Sequence, residues 1–256
     1  MRVTVLGSGT LLPDSARGSA AHLVEADDAR VLLDCGAGAV RALAGRGWDR
    51  LTHVALTHFH VDHVGDVGAL CWALAHGRER AERPPLHVLG PPGVVQWWEH
   101  LAALHGEAMR APGQPLRLHE LRPGVAWTDP DRSWLRFGCV DTPHADPSLA
   151  LRLETAEGDV GYTGDTGYDP SLSTFLAGVR VGISECGTRE ESPRPGHLTP
   201  TEVAALWGPA RPGLLWLTHL DPALAPGVAL ARLREAGYEG PADCATDGLT
   251  WSSDDA

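Results

Sequence analysis

Thr57-His58-Phe59-His60-Val61-Asp62-His63-Val64-Gly65-Asp66 decides how this chain is read. It continues an apolar run from His53 to Thr57 that predicts a strand, and it opens a stretch from Asp62 to His76 that predicts a helix. His58 and His60 stand two apart and project to one side, while Asp62 and His63 open the helix and point differently. Four ligand-type side chains thus converge on a volume too large for one ion. A single tetrahedral zinc would take three of them and a water, whereas two metals about 3.5 to 4 Å apart would use all four with help from elsewhere.

Outward from this stretch, short apolar runs alternate with Gly, Pro and Asp turns, which predicts an α/β or α+β chain of many short strands. Strands are expected at Val3 to Leu6, His22 to Ala26, Arg30 to Asp34, His53 to Thr57, Leu86 to Leu89 and Leu116 to Glu120. In the second half they are expected at Trp134 to Val140, Leu149 to Glu154, Asp159 to Thr163, Val181 to Glu185 and Leu214 to Thr218. Helices are expected at Asp62 to His76, Gly93 to His105, Pro200 to Trp207 and Ala225 to Ala236, the third entered through a Thr199–Glu202 capping box. An echo links the halves: Arg30 to Gly36 and Val160 to Gly167 are both apolar strands ending in Asp-x-Gly, and Val54 to His58 matches Leu215 to His219. Each half would then offer an Asp and a His at strand ends, where loops carry polar groups on a rigid sheet.

Composition narrows the chemistry. The 256 residues suffice for one large domain or two intimate halves, and 21 basic against 33 acidic residues give a net charge of −12, unfavourable for a phosphate backbone. Every basic residue is Arg; the absence of lysine excludes a Walker A loop, a Schiff-base enzyme and a Ser-x-x-Lys acyl-transfer site. Cys35, Cys71, Cys139, Cys186 and Cys244 are odd in number and widely spaced, which fits neither a disulfide framework nor a zinc ribbon. The expectation is a soluble cytoplasmic protein with no membrane partner, because no signal core or long apolar run is present. Thirteen histidines are the compositional excess.

His-x-His-x-Asp-His resembles the signature of the metallo-β-lactamase superfamily, and the likeness extends along nearly the whole chain. It implies a single domain over residues 1–256, a four-layer αβ/βα sandwich of two pseudo-equivalent halves with a dinuclear site at the common edge of two sheets. It also implies the remaining ligands: His144 in Asp141-Thr142-Pro143-His144, Asp165 in Thr163-Gly164-Asp165-Thr166-Gly167, and His219 in Leu217-Thr218-His219-Leu220. By that match His58, His60 and His144 hold one metal, Asp62, His63 and His219 hold the other, and Asp165 bridges both. Such borderline donors suit zinc, with manganese or iron as alternatives. Read singly, each has an alternative: His144 as a loop histidine, Asp165 as a turn residue and His219 as a strand-end histidine.

Ser8-Gly9-Thr10, Asp34-Cys35-Gly36 and Gly196-His197-Leu198-Thr199-Pro200 look like the ribonuclease Z branch, whose members cleave phosphodiesters. That branch holds both transfer RNA 3′-processing endonucleases and smaller enzymes that open cyclic phosphates such as phosphoribosyl 1,2-cyclic phosphate. Transfer RNA processors carry a basic arm between the residues matching His144 and Asp165, which here are only 21 positions apart. The expectation is therefore a metal-dependent phosphodiesterase acting on a small or cyclic substrate through a metal-bridging hydroxide, with Asp62 orienting it and His197 protonating the leaving group. The alternatives are an RNA 3′-processing endonuclease, a carbon-ester or lactone hydrolase, and a non-catalytic metal-binding protein; nucleic acid is a disfavoured partner and a homodimer is allowed.

Several residues stay open. His197 reads equally as a helix-capping or loop histidine. Asp34 is structural or supports a ligand, and Arg189 and Arg194 are phosphate-binding cations or plain surface. Gly7-Ser8-Gly9-Thr10 lacks the third glycine of a dinucleotide loop because Leu12 stands there, which leaves a turn near the site. The nine tryptophans read as core or interface, and Arg78, Arg80 and Arg83 as a solvated helix end.

Overall fold

The computed structural model describes residues 1–77 and 83–255, and their strands are, in chain order, β1 (Arg2–Gly7), β2 (Ala21–Ala26), β3 (Ala29–Leu33), β4 (His53–Ala55), β5 (Leu86–Gly90), β6 (Leu116–Glu120) and β7 (Trp127–Thr128). They continue with β8 (Arg136–Asp141), β9 (Leu149–Glu154), β10 (Val160–Tyr162), β11 (Val181–Glu185), β12 (Leu214–Thr218), β13 (Ala242–Cys244) and β14 (Thr250–Ser252). The α-helices are α1 (Ala39–Ala42), α2 (Val61–Val64), α3 (Val67–His76), α4 (Val94–His105), α5 (Ser171–Phe175), α6 (Pro200–Ala210) and α7 (Pro226–Glu235). Two mixed seven-stranded sheets with flanking helices result, one in each of two compact units.

The first unit (Met1–Gly7, Gly18–Leu121 and Asp247–Ala256) holds the sheet β14-β1-β2-β3-β4-β5-β6. β14, β1, β2 and β3 pair antiparallel, and β3 to β6 pair parallel. Parallel strands buried on both faces read as unbroken apolar runs; β5 (Leu86-His87-Val88-Leu89-Gly90) is buried at every residue. The core gathers Leu23, Leu32, Val54, Leu56, Val88, Leu70 and Trp98. Trp98 is 2% exposed and donates its indole N–H to the Met109 carbonyl at 2.9 Å, which makes it a core residue as its sequence context predicted.

The helix expected over Asp62 to His76 is two helices. The chain turns at Gly65-Asp66 because Asp66 has other work: its carboxylate accepts the N–H groups of Gly38 and Val40 at 3.0 Å each and caps α1, whose own N-cap, Gly38, has no side chain to do so. Of the arginines read as a helix end, Arg78 and Arg80 lie outside the described residues. Arg83 donates to the Leu74 carbonyl at 2.7 Å, near the end of α3.

The second unit (Ser8–Arg17 and Arg122–Thr246) holds the sheet β13-β12-β11-β10-β9-β8-β7, with β7 to β10 antiparallel and β10 to β13 parallel. The two sheets therefore repeat one topology, in which β10 answers β3 and β11 answers β4. The first echo, Arg30 to Gly36 with Val160 to Gly167, joins equivalent strands. The second does not, since β12 carries Leu215 to Thr218 and answers β5, not β4; a shared Leu-Thr-His ending misled the comparison.

The capping box forms as expected: Thr199 Oγ1 accepts from Glu202 N at 3.3 Å while Glu202 returns a bond from Thr199 N at 2.8 Å. α6 packs Trp207, fully buried, flat on Gly182 of β11, where a Cβ would meet the indole at 2.5 Å. The rigid ring has nowhere to go. Gly182→Ala should cost about 1–3 kcal/mol, read as a lower urea midpoint at unchanged m-value.

Candidate metal centre

In the first unit, the carboxyl ends of β3 and β4 build a histidine cluster on one buried carboxylate. Asp34, fully buried just past β3, accepts the Thr57 N–H on Oδ1 at 2.8 Å, while its Oδ2 accepts the Thr57 hydroxyl at 2.9 Å and lies 2.6 Å from His63 Nδ1. A carboxylate only accepts, so Nδ1 of His63 carries the proton and Nε2 the lone pair. The Thr57 hydroxyl proton is spent on Asp34, so the same oxygen accepts from His58 Nδ1 at 3.0 Å and fixes that ring in the same tautomer. Asp34 thus aligns two candidate ligands at once, which resolves its role as support for them. Asp34→Asn should weaken metal binding by about 10- to 100-fold without unfolding the chain, checked by competition against a coloured chelator.

Around that support the predicted ligands gather. The His58 and His63 rings stand 4.2 Å apart between centroids and those of His58 and His60 4.6 Å, while an Asp62 oxygen lies 4.0 Å from His63 Nε2. His58 and His63 are fully buried, Asp62 is 7% exposed, and His60 is exposed. Phe59 faces the other way and stacks on Trp97 of α4 at 5.0 Å, which anchors the loop between two histidines.

The second unit builds its own cluster around Asp165, 2% exposed in the turn after β10. One carboxylate oxygen lies 3.6 Å from His144 Nε2 and the other 3.4 Å from His219 Nε2. These gaps exceed a hydrogen bond and match the edge, about 3.4 Å, of a coordination tetrahedron with bonds near 2.1 Å. His144 donates from Nδ1 to the Gly196 carbonyl at 2.8 Å, which again leaves Nε2 as the lone-pair nitrogen. His219, just past β12, adopts a left-handed backbone with φ of 52°, as Asp34 does at 54°. Donor types and spacings both fit divalent metal ions.

Beside this cluster lies a residue that sequence reasoning missed. Glu185, the fully buried last residue of β11, accepts the backbone N–H groups of Thr166 at 2.7 Å, Gly187 at 2.9 Å and Leu198 at 3.2 Å. His197 Nδ1 sits 3.1 Å and 3.3 Å from its two oxygens. His197 therefore does not cap α6; it is oriented by Glu185, with its ring 4.9 Å from that of His144 and 5.6 Å from that of His219. Burial pulls its pKa down, but the bond to Glu185 and the charges of Glu185 and Asp165 outweigh burial, and the pKa rises above its ordinary value. Gly187 is required here, because a Cβ there would meet Glu185, His219 and His197 at 2.8–3.1 Å. The visible signal in the sequence was an acid ending an apolar strand.

Other residues that the sequence leaves open have contacts of their own. Arg194 donates to the Gly187 carbonyl and pairs with Asp221 at 3.0 Å, so its guanidinium ties a loop together. Arg189 lies in a tight turn closed by its bridge to Ser192. Ser8 accepts from Arg17 at 3.1 Å in a buried turn. The five cysteines are free, and burial raises the thiols of Cys71 and Cys139 to about 12. Among the described residues no helix is long and apolar enough to cross a membrane.

The β-lactamase superfamily domain matches residues 29–220. The chain belongs to the metallo-β-lactamase superfamily. Within the superfamily it falls in the ribonuclease Z-like branch: a ribonuclease Z of Mycobacterium sp. (strain KMS) is 31% identical over 252 residues, 89% of this chain and 86% of that one. The metallo-β-lactamase fold protein YhfI from Bacillus subtilis superposes with a TM-score of 0.84 at 23% identity, covering 98% of both chains. A diphosphatase from the PhnP family superposes at 0.71 with 18% identity, over 98% of this chain and 97% of that one. The two mixed sheets with flanking helices are the metallo-β-lactamase fold, and the buried His/Asp clusters are consistent with the dinuclear metal site of that superfamily of hydrolases.

Proposed function

We propose that this metallo-β-lactamase hydrolase cleaves a small or cyclic phosphodiester, with His58, His60 and His144 holding one divalent ion, Asp62, His63 and His219 a second, and Asp165 shared by both. Zinc is the metal we favour, because imidazoles and carboxylates together are borderline donors. Two bound ions supply charge neutralisation at the phosphoryl oxygens and lower the pKa of a water towards about 7. Asp62 orients the attacking water. His197, held by Glu185, delivers a proton to the departing oxygen, and Glu185 keeps the imidazole in place and favours its charged form.

The observation that carries this reading is the half-buried His197 held by the buried Glu185 beside the His144–Asp165–His219 cluster. A proton donor matters most for a poor leaving group such as a ribose alkoxide. The small-substrate preference rests on the net charge of −12 and on His144 and Asp165 being only 21 positions apart, which leaves no length for a basic arm. A second reading, RNA 3′ processing, is supported by the 31% identical ribonuclease Z.

One assay separates them. The zinc- or manganese-loaded protein is expected to hydrolyse bis-p-nitrophenyl phosphate and a cyclic phosphodiester, to leave a lactone intact, and to bind precursor transfer RNA weakly with a shallow salt dependence. Specific 3′ cleavage of the precursor at low enzyme concentration would reverse the choice. Lactone turnover without diester turnover would remove phosphorus altogether.

A further inference from the structure

Arg2, Arg30, Arg46 and Arg50 are spread over 49 positions of an acidic, lysine-free chain, yet they line one cavity of about 470 Å³ in the first unit. Glu25 is the sole acid lining it. Strand register does the gathering: Arg2 of β1 stands opposite Glu25 of β2 and Ser252 of β14, and Glu25 stands opposite Arg30 of β3. Arg30 and Arg50 share one patch, because a Cβ on Gly47 would meet Arg50 Nη2 at 2.9 Å and Arg30 Nη2 at 3.2 Å. The cavity opens at the amino ends of β1 and β3. Asp34 and the histidine cluster lie past the carboxyl ends of β3 and β4, so this is a separate place on the same sheet.

The charges there are unbalanced. Arg30 pairs with Glu25 and donates to the Arg46 carbonyl, which holds its guanidinium fixed, while Arg46 donates to the Ala42 carbonyl at 2.8 Å. Neither Arg2 nor Arg50 has a carboxylate partner among the described residues. Four cations against one anion leave a net +3 facing one volume, inside a chain whose total is −12. The hydroxyls of Thr4 and Thr250 bond to each other at 3.2 Å and Thr250 donates to the Gly248 carbonyl at 3.3 Å, which leaves the guanidinium groups as the donors, and no aromatic side chain lines the space. Guanidinium forks match phosphate oxygens in a bidentate way, and the volume falls in the range of small-ligand pockets. A nucleobase would lack an aromatic platform and an acyl chain an apolar wall.

We propose that this cavity binds a compact polyanion carrying two phosphate groups, of the size of a sugar bisphosphate, at a site separate from the metal centre. The test is calorimetric titration of the metal-loaded protein with fructose 1,6-bisphosphate, with inorganic phosphate and a 12-nucleotide single-stranded RNA as comparisons. Saturable bisphosphate binding is expected, at least about tenfold tighter than inorganic phosphate, since each charge-assisted hydrogen bond that the smaller anion fails to make weakens its binding by about that factor. The Arg2→Gln/Arg50→Gln double variant should abolish bisphosphate binding while keeping its metal content and melting temperature. His58→Ala, which damages the metal centre, should retain it. If the double variant proves unstable, Arg50→Gln alone carries the test, because Arg50 is exposed on a short helical turn.

Absence of saturable binding, undiminished binding in the arginine variants, or binding abolished in His58→Ala and kept in Arg50→Gln would each overturn the assignment. Tighter, arginine-dependent binding of the RNA would replace the compact ligand with a nucleic acid strand.

Discussion

Asp165→Ala should strip the protein of nearly all bound metal, while His144→Ala should keep about one ion per chain. The difference follows from placement. Asp165 presents one oxygen towards His219 Nε2 at 3.4 Å and the other towards His144 Nε2 at 3.6 Å, so in the proposed arrangement its removal would take a donor from both ions, whereas His144 would serve one. The carboxylate, itself 2% exposed, would also carry negative charge to offset two dications bound there. Asp165→Asn preserves shape but removes the charge, and it should behave more like the alanine variant than like wild type. Elemental analysis after gel filtration reads the outcome directly. Equal metal retention in Asp165→Ala and His144→Ala would take Asp165 out of the shared position.

The second large effect belongs to His197. His197→Ala should keep both metals and the fold while kcat falls by about 10² to 10⁴, the usual worth of general acid catalysis. The fall should depend on the substrate. A ribose alkoxide needs the proton, whereas p-nitrophenolate leaves almost unaided, so the variant should be badly impaired on a ribose-type diester and far less on bis-p-nitrophenyl phosphate. Glu185→Gln keeps an acceptor for the imidazole but removes its charge; it should show the same substrate dependence, more weakly, with the alkaline limb of the pH profile moved to lower pH. Equal impairment on both substrates would make His197 a positioning residue.

Much of this molecule was legible in its sequence, and the exceptions have physical causes. Parallel strands buried on both faces, such as β5 and β11, announce themselves as unbroken apolar runs, so the central strands were placed within a residue or two. β7, β13 and β14 were missed because they are two- or three-residue edge strands with polar or half-exposed side chains, which the sheet recruits through backbone pairing alone. The break at Gly65-Asp66 was invisible because the partner of Asp66 is a helix start 26 residues earlier.

The histidine motif was readable because its four members are contiguous, whereas Glu185 acts on His197 from 12 residues away across a loop. The repeated topology shows why the echo misled: past equivalent strands β3 and β10 stand Asp34 and Asp165, one aligning histidines and the other placed as a ligand. At β4 and β11 the pattern reverses, with His58 as the candidate ligand and Glu185 as the aligning acid. The four arginines of the cavity escaped notice for the same reason, since no two of them adjoin in sequence and only strand register brings them together.

The left-handed backbone at His219 and Asp34 carries a consequence for any attempt to improve this protein. Such a conformation costs a side chain with a Cβ about 1–3 kcal/mol, and at both places the rest of the fold imposes it. Glycine or asparagine would sit there at less cost. A laboratory selection for heat resistance alone would therefore drift towards those residues at position 219, and, with His219 as the ligand we propose, each degree of melting temperature gained that way would be taken from turnover.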